Sequence, residues 1–421
     1  MTQLPARTLY LCYFGLREPL VQTQVLPYLR ELVAGGIEVF LLTFEPRLSD
    51  RWKPEELAAT RARLAAEGIR WFYLPYHKRP SVPATAYDIA QGARLAARLA
   101  RRHKIDVLHA RAHIPLAMAL LARRRTKQRL IFDIRGLMAE EYADAGVWRE
   151  TSTAFRVVKR LERAGIRRAD QLVVLTKRMR DWLVERGLKN AQQIEVIPCC
   201  VDFSRFDESV AIETPVTQAA RFEVVYAGSV TGLYLLEEMA RFFLQVRARR
   251  AGAFLRIMTH SSGDEARARL LSVGLKAEDF WVGAVAPTEV PALLRRARLG
   301  LSFRKRTFSQ IAASPTKVAE YLAAGLPVVC NAGIGDMDEL MRDERVGVVV
   351  EELTDEGLAA AAGAAVALAD EPSIAARCVE AARSHFDLSE VGGARYRNLY
   401  RRLAEQEGTS GAVSEISLKA R

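Results

Sequence analysis

Short apolar runs and longer amphipathic stretches alternate along most of the chain. The first apolar run, TLYLCYF, is followed by an amphipathic stretch over residues 20–36 and then by a second apolar run, IEVFLLTFE. Because a helix repeats every ~3.6 residues and commonly ends at glycine, this order predicts a strand, one helix and a strand. The alternation continues through five further runs: IRWFYLP, IDVLHAR, QRLIFDIRG, ADQLVVLT and IEVIPCCVDFSRF. Strands separated by helices favour a parallel, doubly wound sheet, whose ligands lie at the carboxyl ends of the strands.

A second series of the same kind follows a polar segment. Residues 207–220 lack a clear period and contain Pro215, which is typical of a linker. Six more apolar runs then alternate with amphipathic stretches: FEVVYAGS, FLRIMTH, FWVGAV, LGLSF, PVVC and GVVV. At 421 residues the chain is also too long for one ordinary core. We therefore expect an α/β protein with two Rossmann-like, doubly wound domains, at 1–206 and 221–386, facing a central cleft.

The C-terminal segment predicts one more helix and a tail. Residues 387–406 have a helical pattern, and this helix can pack back on the N-terminal domain. Residues 407–421 contain Gly, Ser and Thr without a period, so we expect them to be mobile.

The run SPTKVAEYLAAGLPVVC places a helix directly before a strand of the second series. Ser314 is the predicted N-cap, Pro315 the first helical residue, and Gly325 the end of the helix. The free N–H groups and the positive end of the helix dipole then lie around Thr316 and Lys317. Such a place favours a phosphate group. An ordinary capped helix whose lysine points to water is the alternative.

Cysteine usage and hydropathy indicate an intracellular protein. The five cysteines show no paired spacing, so we expect reduced thiols. No apolar run approaches the ~18 residues that a spanning helix needs. Residues 1–7 also lack the charged-then-apolar layout of a secretion signal. These features predict a cytoplasmic location.

Positive charge is concentrated in the first half of a chain whose net charge is +12. Between Gln91 and Leu130 there are eleven Lys and Arg residues and one acidic residue, Asp106. A second cluster at 156–168 has Glu162 as its one acidic residue. A solvated face, a nucleic-acid surface and adhesion to anionic lipid are the three interpretations. Nucleic acid is disfavoured, because aromatic residues do not interleave with these cations and no recognised binding motif is present.

Several of these segments together resemble a known family. The runs SPTKVAEYLAAGLPVV, VGAVAPTEVPALLRRARLGLSF and VVYAGSVTGLYLLEEM resemble the C-terminal domain of GT-B glycosyltransferases, in particular the retaining glycosyltransferase family 4. The order of elements in the N-terminal half agrees, and the resemblance covers roughly residues 8 to 400. It implies a hexosyltransferase that moves a sugar from a nucleotide diphosphate sugar to a hydroxyl with retention of configuration. It implies no cofactor beyond that donor substrate.

The resemblance also assigns roles on the donor side. In the family, two glutamates eight positions apart flank the start of this helix; the second, which holds the ribose hydroxyls, falls on Glu320, and the first falls on Ala312. Either Ser314, Thr316 or backbone N–H groups replace the missing carboxylate, or the donor is unusual. The family's Arg and Lys are also absent from the loop AGSVTGLY, where Gly228, Ser229 and Thr231 can donate hydrogen bonds. We therefore expect Arg304 and Lys305, together with Lys317, to stabilise the leaving diphosphate.

Candidates in the N-terminal half lie where predicted strands end. Sugar- and acceptor-binding or catalytic candidates there are Gly15, Arg17, His109, His113, Asp133 and Arg135. Each of the two histidines has a structural role as its simpler interpretation. No His or Cys spacing suits a metal ion, so we predict a metal-independent reaction whose positive charge comes from Lys and Arg.

The basic clusters can bind the protein to an anionic membrane if the acceptor is a lipid-linked or cell-envelope glycan on that membrane. The protein is then peripheral on the inner face of the membrane, and Arg98, Arg101, Arg102 and residues 123–125 are exposed. Exopolysaccharide or envelope assembly is the expected setting. A nucleotide-sugar 2-epimerase of the same architecture and a non-catalytic basic binding protein are the alternatives.

Overall fold

The computed structural model describes residues 7–206 and 221–404, in two compact units. Unit 1 comprises Met1–Ala139, Thr151–Ile197 and Ser389–Arg421, and unit 2 comprises Glu140–Glu150 and Pro198–Leu388. The predicted linker at 207–220 and the predicted tail at 407–421 lie outside the described residues.

Unit 1 is built on a seven-stranded parallel sheet with the order β3-β2-β1-β4-β5-β6-β7. Its strands are β1 (Arg7–Leu11), β2 (Glu38–Pro46), β3 (Ile69–Tyr76), β4 (Val107–Arg111), β5 (Arg129–Asp133), β6 (Gln171–Val174) and β7 (Ile194–Val196). In register, Leu9 lies opposite Phe40 on one side and Leu108 on the other. The central strands are almost wholly buried, as expected when helices cover both faces of a parallel sheet.

The first nine helices follow the strands of unit 1 in sequence. They are α1 (Pro19–Gln24), α2 (Leu26–Ala34), α3 (Leu48–Arg51), α4 (Pro54–Ala66), α5 (Ser81–Arg102), α6 (His113–Arg123), α7 (Met138–Asp144), α8 (Thr153–Arg168) and α9 (Lys177–Glu185). The single helix predicted over 20–36 is wrong, because the chain breaks into α1 and α2 at Val25, which has φ −126°. Pro27 lacks an N–H group and so favours the start of a new helix over continuation of the old one.

Unit 2 repeats the design with six parallel strands in the order β10-β9-β8-β11-β12-β13. The strands are β8 (Glu223–Ala227), β9 (Phe254–Met258), β10 (Phe280–Gly283), β11 (Leu299–Ser302), β12 (Val328–Asn331) and β13 (Gly347–Val350). The helices are α10 (Leu236–Arg249), α11 (Gly263–Ser272), α12 (Val290–Arg296), α13 (Thr316–Ala323), α14 (Met337–Asp343), α15 (Asp355–Ala369) and α16 (Ile374–Phe386). Two parallel α/β sheets of this kind confirm the predicted pair of Rossmann-like domains.

The last described segment returns to unit 1. A π-helical turn spans Leu388–Gly393, and residues 394–404 form an α-helix. In this C-terminal helix Tyr396 and Tyr400 are buried, and the Tyr400 hydroxyl lies 2.7 Å from Thr8 Oγ1 on β1. Arg397 donates a 2.7 Å hydrogen bond to Glu31 on α2. The helix therefore completes the core of the first unit.

In residues 7–206 and 221–404, no single helix has both the length and the hydropathy required to cross a membrane. The helices α15 (Asp355–Ala369) and α16 (Ile374–Phe386) have the required length and hydropathy only when they are counted as one segment, and a bend of 97° separates them.

Candidate functional site

Lys317 lies in a buried position at the first turn of α13. Its Nζ atom is 4.1 Å from the ring centroid of Tyr226 and 4.3 Å from that of Tyr234. Within the described residues this nitrogen has no hydrogen-bond partner. Burial, and then the charge of Arg304, lowers the pKa of Lys317 well below its usual value, while Glu320 opposes the shift. A buried lysine nitrogen that lies over two aromatic rings and lacks a hydrogen-bond partner favours an anionic ligand.

Arg304 follows β11 and lies on the same tyrosine as Lys317. Its guanidinium carbon is 4.9 Å from the ring centroid of Tyr234. Nε donates a 2.6 Å hydrogen bond to Gln310 Oε1, and NH1 donates a 3.1 Å hydrogen bond to the Tyr234 hydroxyl. The backbone is fixed by Asn331, which bonds both the N–H and the carbonyl of Arg304. The structure therefore brings two predicted cations, Arg304 and Lys317, together.

Lys305 is placed differently from Arg304. Its side chain is exposed, and Nζ lies 3.4 Å from the Asp144 carbonyl oxygen. Its predicted part in stabilising the diphosphate stays a prediction.

The loop after β8 passes next to Lys317. Gly228 has φ +138°, and a Cβ atom there would lie 2.9 Å from Lys317 Nζ. Only glycine therefore fits without displacing the ammonium group. Beyond it, the Ser229 and Thr231 hydroxyls lie 3.3 Å apart on the exposed part of the loop. Of the three residues predicted in this loop, Gly228 therefore lies against the lysine, and Ser229 and Thr231 follow it along the chain.

Glu320, the predicted ribose ligand, is paired with an arginine that the sequence analysis does not identify. Arg205 NH1 donates a 3.0 Å hydrogen bond to Glu320 Oε1. Burial raises the pKa of Glu320, and the Arg205 guanidinium opposes that shift. Arg205 therefore stabilises the ionised form of Glu320 at a buried position that would otherwise favour the neutral acid.

The start of α13 differs from the prediction. The helix begins at Thr316, and Pro315, with φ −67° and ψ 113°, occupies the N-cap position predicted for Ser314. The Ser314 hydroxyl instead accepts a 3.1 Å hydrogen bond from the N–H of Cys199. Because Ser314 is buried by this contact, Thr316 is the half-exposed hydroxyl at the helix start.

In unit 1, His109 and Asp133 belong to a fully buried network under the C-terminal helix. Asp133 accepts a 3.2 Å hydrogen bond from the Tyr396 hydroxyl, and His109 Nδ1 lies 3.0 Å from the Tyr400 hydroxyl. Burial lowers the pKa of His109 to about 4, so its ring is neutral near neutral pH. Arg135 NH1 lies 3.5 Å from Asp133 Oδ1. The network attaches the helix to the sheet, and the predicted catalytic roles of these residues stay predictions.

The other predicted residues of unit 1 are dispersed. His113 is buried and lies 3.0 Å from Glu162 on α8. A Cβ atom on Gly15 would lie 2.6 Å from Pro46, so this glycine permits close packing of the chain against β2. Arg17 lies 3.7 Å over the Trp52 ring and pairs with Glu56. Within residues 7–206 and 221–404, no hydrogen bond or ion pair joins these three residues to His109 or Asp133.

A hydrogen-bonded cluster at the carboxyl edge of unit 1 is not apparent from the sequence motifs. Buried Asp88 accepts hydrogen bonds from the Tyr13 hydroxyl at 2.7 Å and from the His77 N–H at 3.0 Å. Its other oxygen lies 2.6 Å from His77 Nδ1. The available signal was a carboxylate between Ala84 and Gly92, at helical spacing on the buried side of α5.

We define the basic face as the exposed cations of α5, α8 and the loop after α6; α6 packs against both α5 and α8. Its members are Arg94, Arg98, Arg101, Arg102, Arg124, Arg125, Lys127, Arg156, Arg160, Arg163, Arg167 and Arg168. Arg123, predicted to be exposed, is instead half-buried. It donates to the Arg168 carbonyl at 3.0 Å and pairs with Asp170 at 3.3 Å.

Two Rossmann-like units, the second with buried cations at the carboxyl edge of its sheet, define the GT-B class of nucleotide-sugar enzymes. Residues 21–205 match the Glycosyltransferase Family 4 model, and residues 221–367 match the Glycosyl transferases group 1 model. Together these matches cover most of both units, and the chain belongs to the GT-B glycosyltransferases.

Solved structures agree with this fold. Sucrose-phosphate synthase from Thermosynechococcus elongatus is 15% identical, with a TM-score of 0.70, and the match covers 94% of this chain and 99% of that one. Anabaena HepE in complex with UDP and glucose is 14% identical, with a TM-score of 0.64, over 96% of this chain and 100% of that one. A Listeria monocytogenes structure assigned to UDP-N-acetylglucosamine 2-epimerase is 14% identical, with a TM-score of 0.58, over 94% and 95%. No curated protein matches the chain.

Proposed function

We propose that this glycosyltransferase moves a hexosyl group from a nucleotide diphosphate sugar to a hydroxyl acceptor, with retention of configuration. The observation that carries the proposal is the buried Nζ of Lys317, which lacks a hydrogen-bond partner in the described residues and has Arg304 beside it. A diphosphate at the start of α13 supplies the missing anion. Glu320 is then available for the ribose hydroxyls.

The chemistry follows from where charge develops. The bond between the anomeric carbon and the phosphate oxygen breaks, and the nucleoside diphosphate leaves with the electron pair. Lys317 and Arg304 stabilise this charge, so the reaction needs neither a metal ion nor a cofactor. The acceptor hydroxyl attacks on the same face of the sugar, and its proton passes to the departing phosphate oxygen.

UDP is the first nucleotide to test. Anabaena HepE was solved with UDP and with UDP-glucose, and an Escherichia coli structure named for trehalose-6-phosphate holds UDP-2-fluoro glucose. These ligands belong to those proteins, and the low identity carries only the fold to this chain. They nevertheless support beginning with uridine nucleotides, followed by guanosine nucleotides.

We expect the wild-type protein to bind UDP or GDP and to release that nucleotide from the matching nucleotide-sugar when a glycan acceptor is added. Calorimetric titration measures the first property, and a nucleotide-release assay with EDTA present measures the second. Formation of an epimer in the absence of any acceptor would favour the 2-epimerase. Failure to bind either nucleotide would contradict the proposal.

We also propose that the acceptor is a lipid-linked or envelope glycan and that the basic face holds the protein on the cytoplasmic side of an anionic membrane. Each exposed Lys or Arg near such a surface contributes ~1 kcal/mol of attraction. The four arginines on the outer side of α8, Arg156, Arg160, Arg163 and Arg167, follow helical spacing and so point in one direction. They lie on unit 1, the N-terminal domain, which we propose binds the acceptor.

We expect the protein to sediment with phosphatidylglycerol vesicles but not with phosphatidylcholine vesicles, and to dissociate as salt is raised. Changing the four arginines of α8 to glutamine should lower the bound fraction several-fold. The control with the same charge loss changes four exposed arginines of unit 2, Arg249, Arg296, Arg342 and Arg345. Equal loss in both variants, or displacement of the protein by RNA, would contradict membrane adhesion through α8.

A further inference from the structure

Arg205 contacts two parts of unit 2 that are distant from it in sequence, α13 and the loop after β10. It belongs to the 3-10 turn Phe203–Phe206, which follows the last strand of unit 1 along the chain. NH1 donates a hydrogen bond to Glu320 Oε1 at 3.0 Å, and NH2 donates to the Pro287 carbonyl at 3.4 Å. Pro287 lies in the loop after β10, so it belongs to the same carboxyl edge of the sheet as Lys317. One planar guanidinium therefore joins the helix carboxylate to this loop.

The hydrogen bond from Arg205 leaves one oxygen of the Glu320 carboxylate, Oε2, available for a ligand. In the part of the chain that the structure describes, Glu320 Oε1 accepts the Arg205 hydrogen bond, and no hydrogen bond reaches Oε2. A carboxylate oxygen has two lone pairs, so Oε2, and the second lone pair of Oε1, can each accept a hydroxyl hydrogen. This is the capacity that a ribose diol requires.

The turn that carries Arg205 is itself held in place. Arg295 donates a 3.2 Å hydrogen bond to the Phe206 carbonyl. The Arg383 guanidinium carbon lies 4.4 Å from the Phe203 ring centroid. These two contacts hold the turn in place, and with it the Arg205 side chain. A ligand-binding group such as Glu320 is positioned precisely only when its partner is itself held.

We infer that Arg205 is a positioning residue for the nucleotide-sugar: it fixes the Glu320 carboxylate and the Pro287 loop so that both ribose hydroxyls are bound. This inference rests on the proposed function. Arg205 acts through Glu320. Lysine cannot replace it fully, because one ammonium group lacks the fork that reaches two acceptors at once.

The charges around Glu320 make the role measurable by pH. Arg205 and Lys317 are the charged groups that act on the carboxylate, and Tyr321 is the adjacent titratable residue on α13. Burial raises the pKa of Glu320, and Arg205 opposes this. Without Arg205 the pKa of Glu320 rises further, so the carboxylate becomes protonated at a higher pH than in the wild-type protein. Loss of Arg205 should therefore weaken nucleotide binding most at low pH.

The test is calorimetric titration of the full chain with UDP and with GDP. We expect Arg205→Ala to weaken binding of the preferred nucleotide by about 10-fold, because a charge-assisted hydrogen bond is lost. The loss should grow as pH falls from about 8 to 6. Guanidinium at millimolar concentration should restore part of the affinity. Arg205→Lys should retain the pH profile of the wild type yet bind at least about 3-fold more weakly.

The matched control is Arg342→Ala, which removes an exposed arginine of the same unit that pairs with Glu351 and does not contact Glu320. It should bind the nucleotide as the wild type does. In a double-mutant cycle, Arg205→Ala should add little to Glu320→Gln, because both changes remove one interaction.

Three outcomes would overturn the inference. They are Arg205→Ala affinity within about twofold of wild type, an unchanged pH profile, and effects of Arg205→Ala and Glu320→Gln that simply add. If Arg205→Ala does not fold, wild-type affinity in Arg205→Lys overturns it instead. Absence of UDP and GDP binding in the wild type contradicts the proposed function itself, so the two failures are distinguishable.

Discussion

Replacing Lys317 by methionine is expected to lower turnover by about 100-fold, the effect of removing a group that stabilises charge in the transition state. Methionine has a similar length and can pack on the Tyr226 and Tyr234 rings that contact the lysine. The same change removes a buried amine nitrogen that lacks a hydrogen-bond partner in the described residues, so it should raise thermal stability. Activity and stability should therefore move in opposite directions.

The pH dependence of nucleotide binding gives a second measurement of Lys317. Burial and Arg304 lower its pKa in the free protein, whereas a bound diphosphate favours the charged form. Binding then takes up a proton, and UDP affinity falls as pH rises above the lowered pKa. Lys317→Met should bind more weakly with a flatter profile. Lys276→Met, which changes an exposed lysine of the same unit, is the control, and equal effects in the two variants would contradict the phosphate site.

Replacing Glu320 by alanine is expected to weaken binding of the nucleotide by 10-fold or more, roughly the cost of losing two hydrogen bonds to a charged group. Turnover at saturating nucleotide-sugar should change much less, because the ribose does not react. Titration with UDP and a steady-state assay measure the two effects. Affinity within about twofold of wild type would contradict the ribose assignment.

A ligand lacking one hydroxyl makes this prediction specific. The wild-type protein should bind 2′-deoxy-UDP more weakly than UDP, because one hydroxyl contact is lost. Glu320→Ala should bind both ligands equally. If the alanine variant still discriminates between them, the hydroxyl contact lies elsewhere and Glu320 acts only as the partner of Arg205.

The strands were predictable because parallel strands covered on both faces appear as continuous apolar runs. Each of the apolar runs coincides with one observed strand to within a residue or a few, from Arg7–Leu11 to Gly347–Val350. Helix boundaries were less predictable where proline intervenes, as at Pro27 and Pro315. At Pro315 a tertiary contact changes the start of the helix. The Ser314 hydroxyl accepts a hydrogen bond from the Cys199 N–H and therefore does not cap α13.

The candidate site was predictable in part, because motif residues lie near one another in sequence. Thr316, Lys317 and Glu320 share one helix, and their placement follows from its position before β12. The Arg205–Glu320 pair joins residues that are 115 positions apart, and no local pattern specifies such a contact. The same holds for Tyr234, whose stacking on Arg304 depends on two loops from different strands.

The C-terminal helix also determines the order in which the protein can fold during synthesis. Thr8 and Tyr400, which touch in the first unit, are 392 positions apart, so the whole of unit 2 is synthesised between them. Unit 2 can complete its core as soon as Leu388 has left the ribosome, whereas unit 1 must wait for the C-terminal helix. Until then, the surface that holds His109 and Asp133 lacks Tyr396 and Tyr400. The nascent first unit therefore exposes a polar, aromatic patch that the C-terminal helix later covers.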